Sequence, residues 1–142
     1  MAQAIGDDVR PETTMADTGA GPSRQVRTLW LGSTLVIAVL IAGLTLSPSA
    51  SLPQSNLHLD KLAHMAAFFG LVFPTAALWP RVTAWIGLMA VLYGGAIEII
   101  QPYTGRSAEW ADLLADGIGV GLGIVLGTAL RRVIIARRTA RR

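Results

Sequence analysis

The sequence predicts an all-α integral membrane protein, a four-helix bundle with both termini in the cytoplasm. Three observations carry that expectation. Hydrophobic residues make up 52% of the 142-residue chain before its 15 glycines are counted, and mean hydropathy is +0.51. A soluble domain reaches only about 45–50% apolar with glycine included. Charged residues are 15% of the chain, too few to wet the surface of so small a globule. Finally, the charges avoid four stretches, each near the ~20 residues that a helix needs to cross a hydrocarbon core. The absence of cysteine excludes a disulfide scaffold, a redox pair and a thiolate metal site.

Taken in order, residues 1–28 are polar, of mixed charge and rich in Gly, Pro, Ser and Thr, the composition of a disordered tail. The first span, 29–46, carries no charge. A cleaved signal peptide is the competing reading, disfavoured by the long acidic leader and a poor cleavage site around Ser47 and Pro48. Pro48, Pro53 and several serines make the next segment a loop. The second span, 62–79, is polar only at His64 and Thr75. Pro80-Arg81 turns the chain into the third, 82–100, which holds one ionisable acid, Glu98. Pro102 and Thr104-Gly105 mark the turn after it. The fourth span, 113–130, contains one charge, Asp116, and is followed by a basic tail, 131–142. None of the four alternates as a strand would, and helices satisfy their own backbone groups in lipid.

The basic residues set the orientation. With four spans, both ends share a side, and that side holds Arg10, Arg24, Arg27, Arg81 and the six arginines after Leu130. Lys61 and Arg106 fall on the other. The excess of positive charge on cytoplasmic loops therefore puts both tails inside. Unusual polar residues then gather at the outer rim: His58, Asp60, Lys61 and His64 from the second span, Glu98 and Gln101 from the third, and Tyr103, Arg106, Glu109, Trp110, Asp112 and Asp116 from the last loop and helix.

Spacing sharpens that picture. Asp60 and His64 share a helix face, as do Glu98 and Gln101, with Gly94 and Gly87 further along the same helix. Asp112, Asp116, Gly119, Gly123 and Gly127 form one stripe, whose small residues predict the packing face of the fourth helix. Its acids then point into the bundle. Each residue has a plainer reading. Asp60 suits the N-cap of the second helix, and Glu109 or Asp112 that of the fourth. Arg106 can neutralise Glu109, and Trp110 can be an interfacial anchor. Glu98 and Asp116 are harder to treat this way, because an acid inside a span is costly and by default functional. Lys61, the only lysine among twelve basic residues, offers a compact ammonium that a guanidinium does not replace.

Asp60-Lys61-Leu62-Ala63-His64 resembles the D-K-x-x-H motif of the VanZ-like membrane proteins. Glu98-Ile99-Ile100-Gln101, then Arg106, Glu109-Trp110 and Asp112, resemble that family's E-x-x-Q, R and E/D-W-x-D signature, and Asp116-Gly117-Ile118-Gly119 with Gly123 matches its glycine-rich stretch. The similarity spans about residues 29–130 and leaves out both tails. Asp116 departs from the asparagine common at that place. The resemblance implies a small polytopic protein of the bacterial cytoplasmic membrane. The founding member's association with teicoplanin resistance is a link, not a mechanism to transfer.

The first functional expectation is a binding protein whose outer crevice takes a cell-envelope ligand, a lipid head group or lipid-linked precursor. Its ligand-binding residues would be Asp60, Lys61, His64, Glu98, Gln101, Arg106, Glu109, Trp110, Asp112 and Asp116. Lys61 and Arg106 suit phosphate; the carboxylates and Gln101 suit amines, amides and hydroxyls. The alternative is a membrane-embedded hydrolase or transferase using His64 with Asp60 or Glu98. No H-E-x-x-H or phosphate-binding loop supports it, so the balance leans away from an enzyme. His58 and His64 with carboxylates could hold a metal, but His58 falls in the loop, so no metal and no cofactor is expected. A dimeric transporter ranks third because the inner halves are apolar. The G-x-x-x-G units also serve packing within one chain, and a homodimer remains an alternative use. The arginine-rich tail is expected to meet anionic membrane lipids, not nucleic acid.

Overall fold

The computed structural model describes residues 23–47 and 57–141, the side chains of 57 and 58 excepted. The expected tail as far as residue 22, most of the first loop and the His58 side chain lie outside the described residues. Among the described residues the chain forms four helices and no strand: α1 (Arg24–Leu46), α2 (Leu57–Leu78), α3 (Thr83–Ile100) and α4 (Trp110–Thr139). A 3-10 turn, Gln101–Thr104, follows α3. All four helices are long and apolar enough to cross a membrane.

The helices run past the uncharged stretches wherever nothing stops them. α1 starts five residues early, where the Ser23 hydroxyl accepts from the Val26 N–H at 3.3 Å and satisfies one of the free amides of its first turn. α2 starts at Leu57, so Asp60 is a first-turn residue and not the cap. α3 begins after the Trp79–Val82 turn, closed by the Val82 N–H on the Trp79 carbonyl at 3.1 Å. Pro102, which cannot donate, converts the end of α3 into the 3-10 turn, and Gly105 leaves it at φ 79°, a left-handed conformation that glycine adopts without strain. α4 continues through the expected basic tail to Thr139. Val133, Ile134, Ile135 and Ala136 among the arginines contain no breaker, and the 30-residue helix is about 45 Å long.

α2 and α4 form the central pair, and they run parallel. Gly119 faces the Met65 carbonyl, Gly123 that of Phe69 and Gly127 that of Phe73, one turn apart on both helices. A Cβ on Gly123 would stand 3.0 Å from the Phe69 oxygen, and one on Gly127 2.7 Å from the Phe73 oxygen. Glycine is therefore required for this approach, and backbone contact replaces the hydrophobic drive that lipid removes. α3 closes against the pair through Gly87, beside Val120 and Ile124, and Gly94, beside Phe68 and Asp116. Phe68, Leu71, Val72, Ala90, Ile97 and Val120 fill the core, with Ile41 from α1.

α1 is peripheral, with Ile41 its one buried residue. Polar contacts fix it to the others: the Trp30 indole donates to Thr75 Oγ1 at 2.9 Å, and the Tyr93 hydroxyl to the Ala38 carbonyl at 2.5 Å. Leu35, Leu40, Trp85, Leu92, Leu114 and Val125 point outward from all sides of the bundle. So much outward-facing apolar surface suits lipid as the solvent.

Candidate functional site

The parallel pairing of α2 and α4 puts both of their N-termini at one end of the bundle, where α3 ends. Asp60 lies in the first turn of α2 and Asp112 in that of α4, where exposed amides and the helix dipoles favour negative charge. Glu109 occupies the N-cap position of α4 but makes no side-chain cap bond; its carboxylate turns to α2 instead.

Lys61 ties the two helices together. Its Nζ donates to Glu109 Oε2 at 2.9 Å and to Asp112 Oδ1 at 3.3 Å. Asp112 is buried, whereas the Lys61 side chain keeps 30% of its surface exposed. Lys61 holds Glu109, and Arg106 does not pair with it. Its guanidinium lies 3.8 Å from Asp60 Oδ2 and donates to the Leu44 carbonyl at 3.5 Å. Glu98, from the end of α3, accepts the Glu109 N–H on Oε2 at 2.8 Å, which satisfies an amide at the start of α4. Gln101 is fully buried and donates to the Thr45 carbonyl of α1 at 3.3 Å.

Below this layer His64 and Asp116 meet in the core. His64 Nδ1 stands 2.9 Å from Asp116 Oδ1, with side chains only 4% and 1% exposed. An asparagine at 116 could share a hydrogen bond there but not the charge. The lack of a side chain at Gly94 gives the carboxylate room, since a Cβ would be 2.6 Å from Oδ2.

Eight of the ten expected residues thus come together: Asp60, Lys61, His64, Glu98, Arg106, Glu109, Asp112 and Asp116, whereas the Gln101 side chain bonds to α1 instead. Trp110 does not join them. It is 87% exposed and lines a shallow outer groove with Leu113, Leu114, Gly117 and Ile118. A second groove between α2 and α4 is lined by Lys61, Leu62, Met65, Leu114 and Ile118, among others. These apolar liners escaped the sequence reading, as did the Leu44 and Thr45 carbonyls; the only signal for them is helical spacing beside Lys61.

The cluster has a specific electrostatic imbalance. Five acids meet two bases. Among the described residues, the buried side-chain atoms without a hydrogen-bond partner are Glu98 Oε1, Gln101 Oε1 and Asp116 Oδ2. All three are acceptors. Buried acceptors without donors are costly, so the cluster is short of positive charge and of donor groups. Asp60, His64 and Asp112 also offer one ligand atom each, all within 4.8 Å of one another.

The chain matches no curated protein and no solved structure. A family model described as VanZ/LLP1 matches residues 12–131, a stretch that takes in the first three helices, α4 as far as Arg131 and every residue of the cluster. With four helices able to span a membrane, that match makes it a multi-pass membrane protein, and the chain belongs to the VanZ/LLP1 family.

Proposed function

We propose that the chain is a binding protein of the bacterial cytoplasmic membrane, with its polar cluster opening on the extracytoplasmic side. The ligand is the head group of an envelope lipid or lipid-linked precursor. The observation that carries this reading is the position of Lys61, which belongs both to the ion-pair network and to the apolar groove of Leu62, Met65, Leu114, Ala115 and Ile118. A ligand with a phosphate on an apolar chain has that same division. Its phosphate would draw Lys61 and Arg106 from their carboxylates, and its donor groups would then take the acids so released. Such an exchange keeps every charge paired, which matters where water is scarce. Precursor binding would also give a route by which a family member bears on glycopeptide resistance.

A second reading, a membrane-embedded hydrolase or transferase, has one observation in its favour. Asp116 holds one ring nitrogen of His64 and leaves the other free for proton transfer, an arrangement used by acid–base pairs.

Native mass spectrometry of the purified protein tests the first reading. Retained lipid that falls several-fold in Lys61→Gln and Asp60→Ala is the expected result. No retained lipid, or equal retention in both variants, overturns it. Turnover of a retained lipid, lost in Glu98→Gln while binding survives, would favour the second reading.

A further inference from the structure

We infer that Asp60, His64 and Asp112 form a binding site for a first-row divalent cation, Zn²⁺ or Mn²⁺, with Asp116 as the residue that orients His64. The site does not rest on lipid binding, although a lipid head group and a cation would both draw on Asp60 and Asp112. It needs nothing from His58, which lies in the first turn of α2 and not in the loop expected for it, since Asp112 of α4 supplies the third ligand atom.

The first support is geometric. The three side chains come from two rigid, parallel helices, and their ligand atoms lie within 4.8 Å of one another. Metal bonds of about 2.0–2.2 Å need ligand atoms roughly 3–3.5 Å apart, a closure that side-chain rotation supplies. His64 and Asp112 are buried, and Asp60 is at the rim beside the opening. One imidazole with two carboxylates suits Zn²⁺ and Mn²⁺ better than a hard cation that takes oxygen alone.

The second support is the Asp116 carboxylate. Its Oδ1 lies 2.9 Å from His64 Nδ1. An ionised Asp116 can only accept, so with it the ring takes the tautomer in which Nδ1–H donates to the carboxylate and the Nε2 lone pair is left for a ligand. A carboxylate behind a metal-bound histidine fixes the tautomer and strengthens the ligand.

The third support is the charge balance of the cluster. Asp116 Oδ2 and Glu98 Oε1, on acids next to the three ligands, are buried without partners, so the cluster lacks positive charge. Lys61 and Arg106 do not supply it, because they engage Asp112 Oδ1 and Asp60 Oδ2 and leave each carboxylate a second oxygen. A divalent cation supplies the missing charge where the acids outnumber the bases.

The test uses the full chain, purified in detergent and stripped with chelator, then titrated calorimetrically with Zn²⁺ or Mn²⁺. One equivalent should bind saturably. The chain has two histidines, so histidine-labelled NMR separates their responses, and Mn²⁺ should broaden His64. Asp60→Asn, at the rim and harmless to packing, should weaken binding at least tenfold, and His64→Gln should weaken it further. Asp116→Asn should weaken it by about 10–100-fold, the effect of losing an orienting partner. Lys61→Gln should tighten it by removing a neighbouring like charge, although the same change is expected to lower lipid retention. No saturable binding up to millimolar metal overturns the inference. So does unchanged affinity in a folded Asp60→Asn variant, or broadening confined to His58.

Discussion

The carboxylate of Asp116 occupies the space that a side chain on Gly94 would need, and a Cβ there would meet Oδ2 at 2.6 Å. A glycine on α3 thus makes room for an acid on α4, and the acid in turn holds a histidine on α2. Three helices converge on one carboxyl group. Gly94→Ala should therefore disturb the cluster without changing a polar residue. We expect a loss of about 1–3 kcal/mol, the usual cost of overpacking, seen as a lowered thermal unfolding midpoint in detergent. Gly95→Ala, with open space at its Cβ, is the matched control and should be neutral.

The glycine stripe of α4 makes a similar prediction with a clear internal comparison. Gly119, Gly123 and Gly127 lie against carbonyls of α2, whereas Gly117 and Gly121 meet nothing within 4 Å. Alanine at 123 or 127 should force the helices apart and lower the unfolding midpoint. Alanine at 117 or 121 should leave it unchanged or raise it slightly, since alanine favours helix over glycine by up to ~1 kcal/mol. Equal effects at all four positions would contradict the packing.

The His64–Asp116 pair is predicted to behave as a coupled unit. Replacing Asp116 by Leu leaves a buried polar ring unpaired and should cost about 3–5 kcal/mol, as breaking one side of a buried pair does. Adding His64→Leu should recover most of that loss, because an apolar pair of similar size needs no partner. A double-mutant cycle by thermal or chemical unfolding reads the coupling. Additive losses would mean that the two residues act separately.

The two contacts of Lys61 should differ in weight. Glu109 is 36% exposed at its side chain, while Asp112 is 3% exposed. Exposed ion pairs contribute about 0–1 kcal/mol, so Glu109→Gln should barely move stability and its effect should shrink further in salt. Asp112→Asn removes a buried charge next to the ammonium and should cost more. Unfolding curves at low and high ionic strength separate the two.

The proposed orientation has its own test. The chain lacks cysteine, and Ala108 and Thr139 are exposed near opposite ends of the bundle. In intact cells an impermeant thiol reagent should label Ala108→Cys and spare Thr139→Cys. The reverse pattern would place the cluster inside.

Much of the architecture was readable because lipid imposes simple rules. Uncharged stretches locate the helices, and small residues at every fourth position of α4 mark its packing face. The extension of α4 to Thr139 was missed because arginine ends a hydrophobic stretch but not a helix. At the site, helical spacing gathers the polar residues at one rim, but it does not choose their partners. Arg106 goes to Asp60 and not to Glu109, which Lys61 holds. Glu98 bonds a backbone amide, which no side-chain pattern records. Trp110 faces outward although its neighbours in sequence, Glu109 and Asp112, face in. Those choices depend on how α2 and α4 are staggered, and the stagger is set by glycine-to-carbonyl contacts.

The parallel pairing of α2 and α4 also imposes an order of events during synthesis. Lys61 and His64 emerge about fifty residues before Glu109, Asp112 and Asp116, their partners. Until the last helix leaves the ribosome, the second carries an ammonium and an imidazole with no counter-charge from α4, and these must stay in the wet interface. On this arrangement α2 is expected to settle to its full depth only when α4 arrives. The final helix is thus the latch of the whole assembly, and a chain cut short before it would leave a half-seated helix for quality-control proteases to find.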